Sequence, residues 1–396
     1  MADVFAIGDM HGCYESYYAL LRAAGLINPA GHWGGGRSLL VQTGDLIDRG
    51  PASLANLRLT MRLQEEARQA GGEVRFLLGG HEVFALAASQ GNDWAFLNWF
   101  SAQNGGSMTL LEWLEKGDFP AAFDDETLEA MYGAFLGQFD SGEFGAWLKG
   151  CPTCTGVAGT VFVHAGISRE VPQGIDSLND RASRSLRNLR EYLAGSTDPI
   201  LGRRGPYWVR DISRDEVESV LSANNCRRII CGHNPAPGVT ALFDAKSIVI
   251  DTGVVRGGPA LAVKVRPDRL TVFDSRGNEQ SVLYSLHADS SGTKRLSLAP
   301  TSGRFGRGDV VGFYHSPITG ARAFLKVQDI WASGRESYYS GKQIAFIPGR
   351  RQDLVRFNGN ETWTYHASFI ERTGVPAAEA ARSMPPELAR ALNHIT

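Results

Sequence analysis

The stretch Ser38–Gly50, S-L-L-V-Q-T-G-D-L-I-D-R-G, decides how the chain is read. Ser38 to Gln42 is a short, mostly apolar run, the pattern of a buried strand. Thr43-Gly44 stops it, and Asp45, Asp48 and Arg49 follow at once. Two carboxylates and a guanidinium at the carboxyl end of a buried strand are costly unless they are used. In an open α/β sheet that end is also where ligands bind. Asp45 is therefore the candidate bridge between two metal ions, and its partners should stand at the ends of other strands.

Four further runs have this format. Val4–Ile7 stops at Gly8-Asp9-Met10-His11-Gly12, and Val74–Leu78 stops at Gly79-Gly80-His81-Glu82. Thr160–Val163 stops at His164-Ala165-Gly166, and Arg227–Cys231 at Gly232-His233. A lone histidine after a strand is more often a satisfied core residue. Five ends converging on carboxylate and imidazole offer the donors that suit divalent Zn, Fe or Mn.

Between these runs the spacing turns helical. Tyr14 to Ala24 reads as a helix ending near Gly25, and Ala52 to Ala70 as a helix between Pro51 and Gly71-Gly72. Strand and helix thus alternate up to His81, which predicts an α/β sandwich. Residues 92–150 interrupt the alternation. They hold Trp94, Trp99, Trp113 and Trp147, four of the eight tryptophans, together with Phe96, Phe100, Phe119 and Phe123. Their spacing is helical, as in Thr127–Leu136, and the aromatics read as the core of a small helical cap.

Asp176–Leu193 reads as a helix carrying Arg181, Arg184, Arg187 and Arg190 on a solvated face. Ser213–Glu216 is a capping box opening a helix to about Asn224. Strands at 227–231, 246–250, 260–265 and 270–274 are expected to complete a second sheet. Residues 286–308 are polar and rich in Gly and Ser, a linker by composition. Short strand patterns at 309–314, 321–327, 343–347, 354–357 and 362–370 follow, then a helical pattern over Ala377–Ile395. The expected division is a domain over 1–285, a linker over 286–308 and a small β-rich domain of unassigned role over 309–396.

At 396 residues, 43% of them apolar, the chain can bury a large core. Lys+Arg 40 against Asp+Glu 42 gives no basic surplus for nucleic acid as a bulk partner. No run of 18 apolar residues predicts a transmembrane helix, and a first strand at Val4 leaves no room for a signal peptide. Five cysteines, an odd and sparse count, fit a reducing compartment, and the expectation is a cytoplasmic enzyme. Cys151-Pro-Thr-Cys154 lacks a second C-x-x-C and reads as a structural pair.

G-D-M-H-G (8–12), G-D-L-I-D-R-G (44–50), G-G-H-E (79–82), H-A-G (164–166) and G-H (232–233) resemble, in order and rough spacing, the phosphoprotein phosphatase (PPP) metallophosphoesterases. G-P-Y-W-V-R (205–210) and D-T-G (251–253) are similar to the bacterial branch, which holds the Shewanella-like protein phosphatases and relatives of symmetrical diadenosine tetraphosphate hydrolase. The resemblance covers about residues 4 to 260. It implies a four-layer αββα sandwich and a metal-dependent phosphatase with two divalent ions, Mn, Fe or Zn.

Residue by residue, the resemblance implies Asp9, His11 and Asp45 for the first ion and Asp45, His164 and His233 for the second. Arg49 and Arg210 would grip the phosphate, whose oxygens match the guanidinium fork. His81 would protonate the leaving oxygen, oriented by Asp48. The implied reaction is hydrolysis of phosphomonoesters, phosphoprotein among them, by a metal-bridging hydroxide. The alternatives are a dinucleoside polyphosphate hydrolase, or a weakened phosphatase fold that binds a phosphorylated partner. The third alternative arises at Gly80, where the family carries an asparagine that serves the second ion. Asp251 is a weaker candidate, a brace for the sheet.

Overall fold

The computed structural model describes residues 2–101, 103–116, 125–190 and 197–284, and beyond them only the strand residues named below. Up to Ser89 the chain runs β1 (Val4–Ile7), α1 (Tyr14–Ala23), β2 (Leu39–Gln42), α2 (Ser53–Gln69), β3 (Glu73–Phe76) and α3 (Gly80–Ser89). Four helices follow: α4 (Asp93–Trp99), α5 (Gly106–Lys116), α6 (Asp125–Asp140) and α7 (Glu143–Lys149). Then come β4 (Cys154–Val157), β5 (Thr160–Val163), α8 (Ile175–Leu186), α9 (Arg214–Ala223), β6 (Arg228–Cys231), β7 (Thr240–Leu242) and β8 (Ser247–Val249). A 3-10 turn at Val254–Arg256 leads to β9 (Leu261–Val265), β10 (Leu270–Asp274), β11 (Glu279–Gln280) and β12 (Leu283–Tyr284).

The strands form two mixed sheets of six, ordered β11-β10-β9-β1-β2-β3 and β12-β7-β8-β6-β5-β4. In the first, β1, β2 and β3 are parallel, as the strand–helix alternation requires. The period-2 rule places the core. Val4 and Ala6 of β1, with Val41 of β2, meet Phe162, Ile230 and Ile248 of the second sheet in one apolar layer. Phe5 and Ile7, the alternate residues, point the other way, into the cluster holding Leu54, Leu57 and Leu63 of α2. Sheet thus faces sheet, with helices outside, the expected α/β sandwich.

One expectation fails. The strands at 260–265 and 270–274 do not complete the second sheet: β9 lies antiparallel to β1 with Val4 opposite Val265, and β10 pairs with β9. The 3-10 turn between two left-handed glycines, Gly253 and Gly257, carries the chain across. Apolar alternation gives a strand its faces but does not say which sheet edge it joins. The short strands β4, β7, β11 and β12 carry no pattern the sequence announces, and α8 ends at Leu186, before the expected Leu193.

Helices α4–α7 do enclose an aromatic core: fully buried Trp99 stacks on Phe135 at 5.7 Å and meets Phe139 edge-on at 5.3 Å. Phe119 and Phe123 lie outside the described residues. Trp147 instead stacks on Phe76 of β3 at 4.9 Å. Toward the C-terminus, β13 (Val310–Ser316), β14 (Ala321–Ser333), β15 (Glu336–Ile347), β16 (Val355–Arg356), β17 (Thr362–His366) and β18 (Val375–Pro376) form a third sheet, with β17 paired to β15. The linker and the helix read at Ala377–Ile395 lie outside the described residues. No helix among the described residues is long and apolar enough to cross a membrane. All five cysteines are free thiols; burial raises Cys151, and pushes Cys154 up to about 12.

Candidate metal centre

The turns after β1, β2, β3, β5 and β6 meet at one end of the two sheets. Asp45 is their hub. Its Oδ2 lies 3.4 Å from His164 Nε2, 3.6 Å from His11 Nε2 and 4.0 Å from His81 Nε2. Its Oδ1 accepts the backbone N–H of His81 at 3.0 Å. Two donor groups share this one carboxylate, His11–Asp45–His81 and Asp45–His164–His233, each gathered within 4.8 Å. Asp9 is buried beside them, and both its oxygens accept the His233 N–H at 3.1 Å. A Cβ at position 232 would overlap Asp9 Oδ1, so only glycine lets the β6 turn come this close.

The backbone is bent hard to achieve this. Ten described residues other than glycine have positive φ, and five of them are here: His11 (43°), Asp45 (52°), Asp48 (73°), Arg49 (66°) and His233 (65°). Such conformations cost about 1–3 kcal/mol each and persist only where surrounding contacts hold them. Glu82 is one holder. Its carboxylate accepts the N–H groups of Gly79, Asp45 and Leu46 at 2.9–3.0 Å. Burial, followed by the nearby Asp45 charge, raises Glu82 to about 7.

The histidines are prepared as nitrogen donors. His11 Nδ1 pairs with Ile47 C=O and His164 Nδ1 with Thr43 C=O, both at 2.9 Å. His233 hydrogen-bonds the Trp208 backbone. A carbonyl on Nδ1 fixes the tautomer whose Nε2 carries the lone pair. His164 Nε2 and His233 Nε2 are buried without a hydrogen-bond partner, the condition of a ligand atom facing an ion. Burial, then the Arg49 charge, lowers His11 to about 3, and burial with neighbouring His164 holds His233 well below its usual range. Against burial, the Asp45 charge raises His164 to about 10, so an ion bound at its Nε2 would displace a proton, while Asp45 among three imidazoles is held well below the carboxylate range. The donor set therefore fits two divalent ions sharing one carboxylate.

His81 differs in its partner. Its Nδ1 lies 2.7 Å from a carboxylate oxygen of Asp48 rather than from a carbonyl. Burial pushes Asp48 up and His81 down, so burial opposes the charged imidazole that the pairing would otherwise favour. Two further donors pull Asp48 back: Trp99 Nε1–H at 2.8 Å and the Thr109 hydroxyl at 2.7 Å. Both come from the helical insert, which thus braces the site in addition to packing its own core. The Arg49 N–H is bonded to Gly105 C=O, and its Nε to Gln103 C=O, also in the insert. Only the aromatic character of Trp99 shows in the sequence.

Replacing Trp99 with phenylalanine keeps a ring and removes one donor from a buried carboxylate. The expected cost is about 1–3 kcal/mol of stability, with kcat lowered about tenfold. Thermal melts and steady-state kinetics check both.

The Arg49 guanidinium reaches Nε2 of both His11 and His81. Burial, then the charge of Arg256, lowers it to about 10, which leaves it charged near neutral pH. Arg210 Nη1 donates to the Asn234 side chain at 3.0 Å and borders His233. Asp251 accepts the Gly253 N–H at 2.8 Å, a turn-bracing role. All the candidate site residues are thus brought together. The first donor group contains His81 where Asp9 was expected.

A Calcineurin-like phosphoesterase family model matches residues 2–237. Shewanella-like protein phosphatase 2 of Arabidopsis thaliana is 28% identical over 333 residues, covering 74% of this chain and 83% of its own length. A symmetrical bis(5'-nucleosyl)-tetraphosphatase of Chromobacterium violaceum is 39% identical over 88 residues, 22% of this chain and 27% of that protein. Among solved structures, a cold-active protein-tyrosine phosphatase of a psychrophilic Shewanella species aligns with TM-score 0.55 at 23% identity, covering 71% of this chain and 80% of that one. The chain belongs to the calcineurin-like phosphoesterase family.

Proposed function

We propose that the chain is a phosphomonoesterase working with two divalent ions, Mn, Fe or Zn. The observation that carries this reading is the single Asp45 carboxylate shared by two donor groups. In it, Asp9, His11 and Asp45 hold one ion, and Asp45, His164 and His233 the other. Bound there, the pair would polarise a phosphoryl group and lower the pKa of a water. His81 is assigned as general acid and not as ligand because its Nδ1 partner is the ionisable Asp48, whereas the other three histidines pair with carbonyls. Arg49, reaching His81, and Arg210, beside His233, flank the place a phosphate would occupy.

Every one of these residues lies before residue 285, so residues 1–285 are read as the catalytic domain and 309–396 as a separate β-rich one. Phosphoprotein is the first substrate class to test, given the similarity to Shewanella-like protein phosphatase 2. The local match to a bis(5'-nucleosyl)-tetraphosphatase favours dinucleoside polyphosphate as the second reading. The test is one panel: an aryl phosphate, Ser-, Thr- and Tyr-phosphopeptides and diadenosine tetraphosphate, each with Mn, Fe(II) or Zn added to chelator-treated protein. Ion-dependent release of phosphate from the monoesters is expected. Preferential cleavage of diadenosine tetraphosphate would move the assignment to the second reading. Phosphopeptide binding without turnover would make the fold a binding module.

A further inference from the structure

Gly80 opens α3 directly beside His81, and the half-buried Trp208 indole stands on it. A Cβ built at position 80 would overlap ring carbon Cζ3, with Cη2 and Cε3 at 2.7 and 2.8 Å. Real Cβ atoms do not come that close, so a side chain at position 80 requires the ring to shift. The ring is held from two sides. It meets Phe84, one turn further along α3, at 4.7 Å, and the His233 ring edge-on at 6.5 Å. Its own backbone hydrogen-bonds His233, fixing which nitrogen that imidazole presents. Its Nε1 is buried and has no hydrogen-bond partner among the described residues. An indole N–H donates only, so it cannot replace a metal ligand.

We propose that Trp208 is a positioning residue: its ring takes the room of a side chain at position 80 and holds the Asp45–His164–His233 group at three protein donors. Three donors leave coordination positions open to water and to substrate oxygens, the arrangement of a catalytic and not a structural ion site. The inference rests on the two-ion reading. It sets what Gly80→Asn should do. The amide has room only if the ring is displaced from its place against Phe84 and His233, so the single substitution should harm the site.

The test is a pair of double-mutant cycles on the full chain. In the first, Gly80→Ala adds only a Cβ and no ligand. It should lower the melting temperature by several degrees in the parent and by much less in a Trp208→Leu background. An equal loss in both backgrounds would overturn the proposal. This arm is read on chelator-treated protein, so it stands or falls independently of the two-ion reading. In the second cycle, chelator-treated protein is titrated with Co(II) and followed by its visible absorption. Gly80→Asn alone should weaken the second binding event about tenfold or more. Gly80→Asn with Trp208→Leu should bind that ion at least about tenfold more tightly than Gly80→Ala with Trp208→Leu, one added donor accounting for the difference. Tight binding by the Gly80→Asn single variant, or no gain in the double, would overturn the proposal. A parent chain that binds one ion only would overturn the two-ion reading instead.

Discussion

Asp45→Asn is expected to leave the fold intact and abolish the centre. Asparagine tolerates the left-handed backbone at this position, where φ is 52°, better than other replacements, and it fills the same volume. Its carbonyl can still accept the His81 N–H that Oδ1 accepts now. What it cannot supply is the anionic oxygen that stands 3.4 Å from His164 and 3.6 Å from His11. One substitution takes the shared carboxylate from both groups: the second is left with two imidazoles, and the first with Asp9 as its one carboxylate. The metal content should fall from two ions to less than one. Losing several kcal/mol of transition-state stabilisation should lower kcat/KM by about three orders of magnitude or more. Elemental analysis, a thermal melt and kinetics on one preparation check this. A variant that keeps two ions would remove Asp45 from its bridging role. His11→Asn or His233→Asn should each cost one ion and less activity, because each side chain belongs to one group.

The positions of these residues were legible because each closes a short apolar run near a glycine. Period-2 burial and a stop signal suffice to place Asp9, His11, Asp45, His164 and His233 at strand ends, and parallel strands present their carboxyl ends together. Residues acting from a distance in sequence were not legible. Trp99 and Thr109 bond Asp48 across 51 and 61 residues, and nothing local marks an aromatic core residue as also a donor to a carboxylate. Glu82 stood inside a recognised motif, yet its task of holding the N–H groups of Gly79, Asp45 and Leu46 depends on turns whose left-handed backbone no pattern reports. The contact between Gly80 and Trp208 is of the same kind. The misplacement of β9 and β10 has a plainer cause: alternation fixes which face of a strand is buried, whereas the edge it joins depends on where the Gly253–Gly257 turn sends the chain.

His81→Asn separates acid catalysis from metal binding. The imidazole's Nδ1 is committed to Asp48 at 2.7 Å, and its Nε2 stands 4.0 Å from Asp45 Oδ2, so it is close enough to be mistaken for a ligand. If it is the acid, the variant keeps two ions and loses rate in proportion to how much the leaving oxygen needs a proton. With an alkyl phosphate or a phosphoserine peptide, kcat should fall by about 100- to 10,000-fold. With an activated aryl phosphate, whose phenolate departs without help, the loss should be about tenfold or less. Asp48→Asn should show the same dependence on leaving group in weaker form, because it removes the carboxylate that stabilises a protonated His81, while its carbonyl can still accept from Trp99 and its amide N–H can donate to the Thr109 hydroxyl. An equal loss with both leaving groups, accompanied by loss of one ion, would make His81 a ligand and hand the first donor group to His11, Asp45 and His81. The two assignments differ in the partner of Nδ1. A carbonyl there fixes a tautomer, whereas a carboxylate also stabilises the imidazolium form, and His81 alone among the four histidines of the site has the carboxylate.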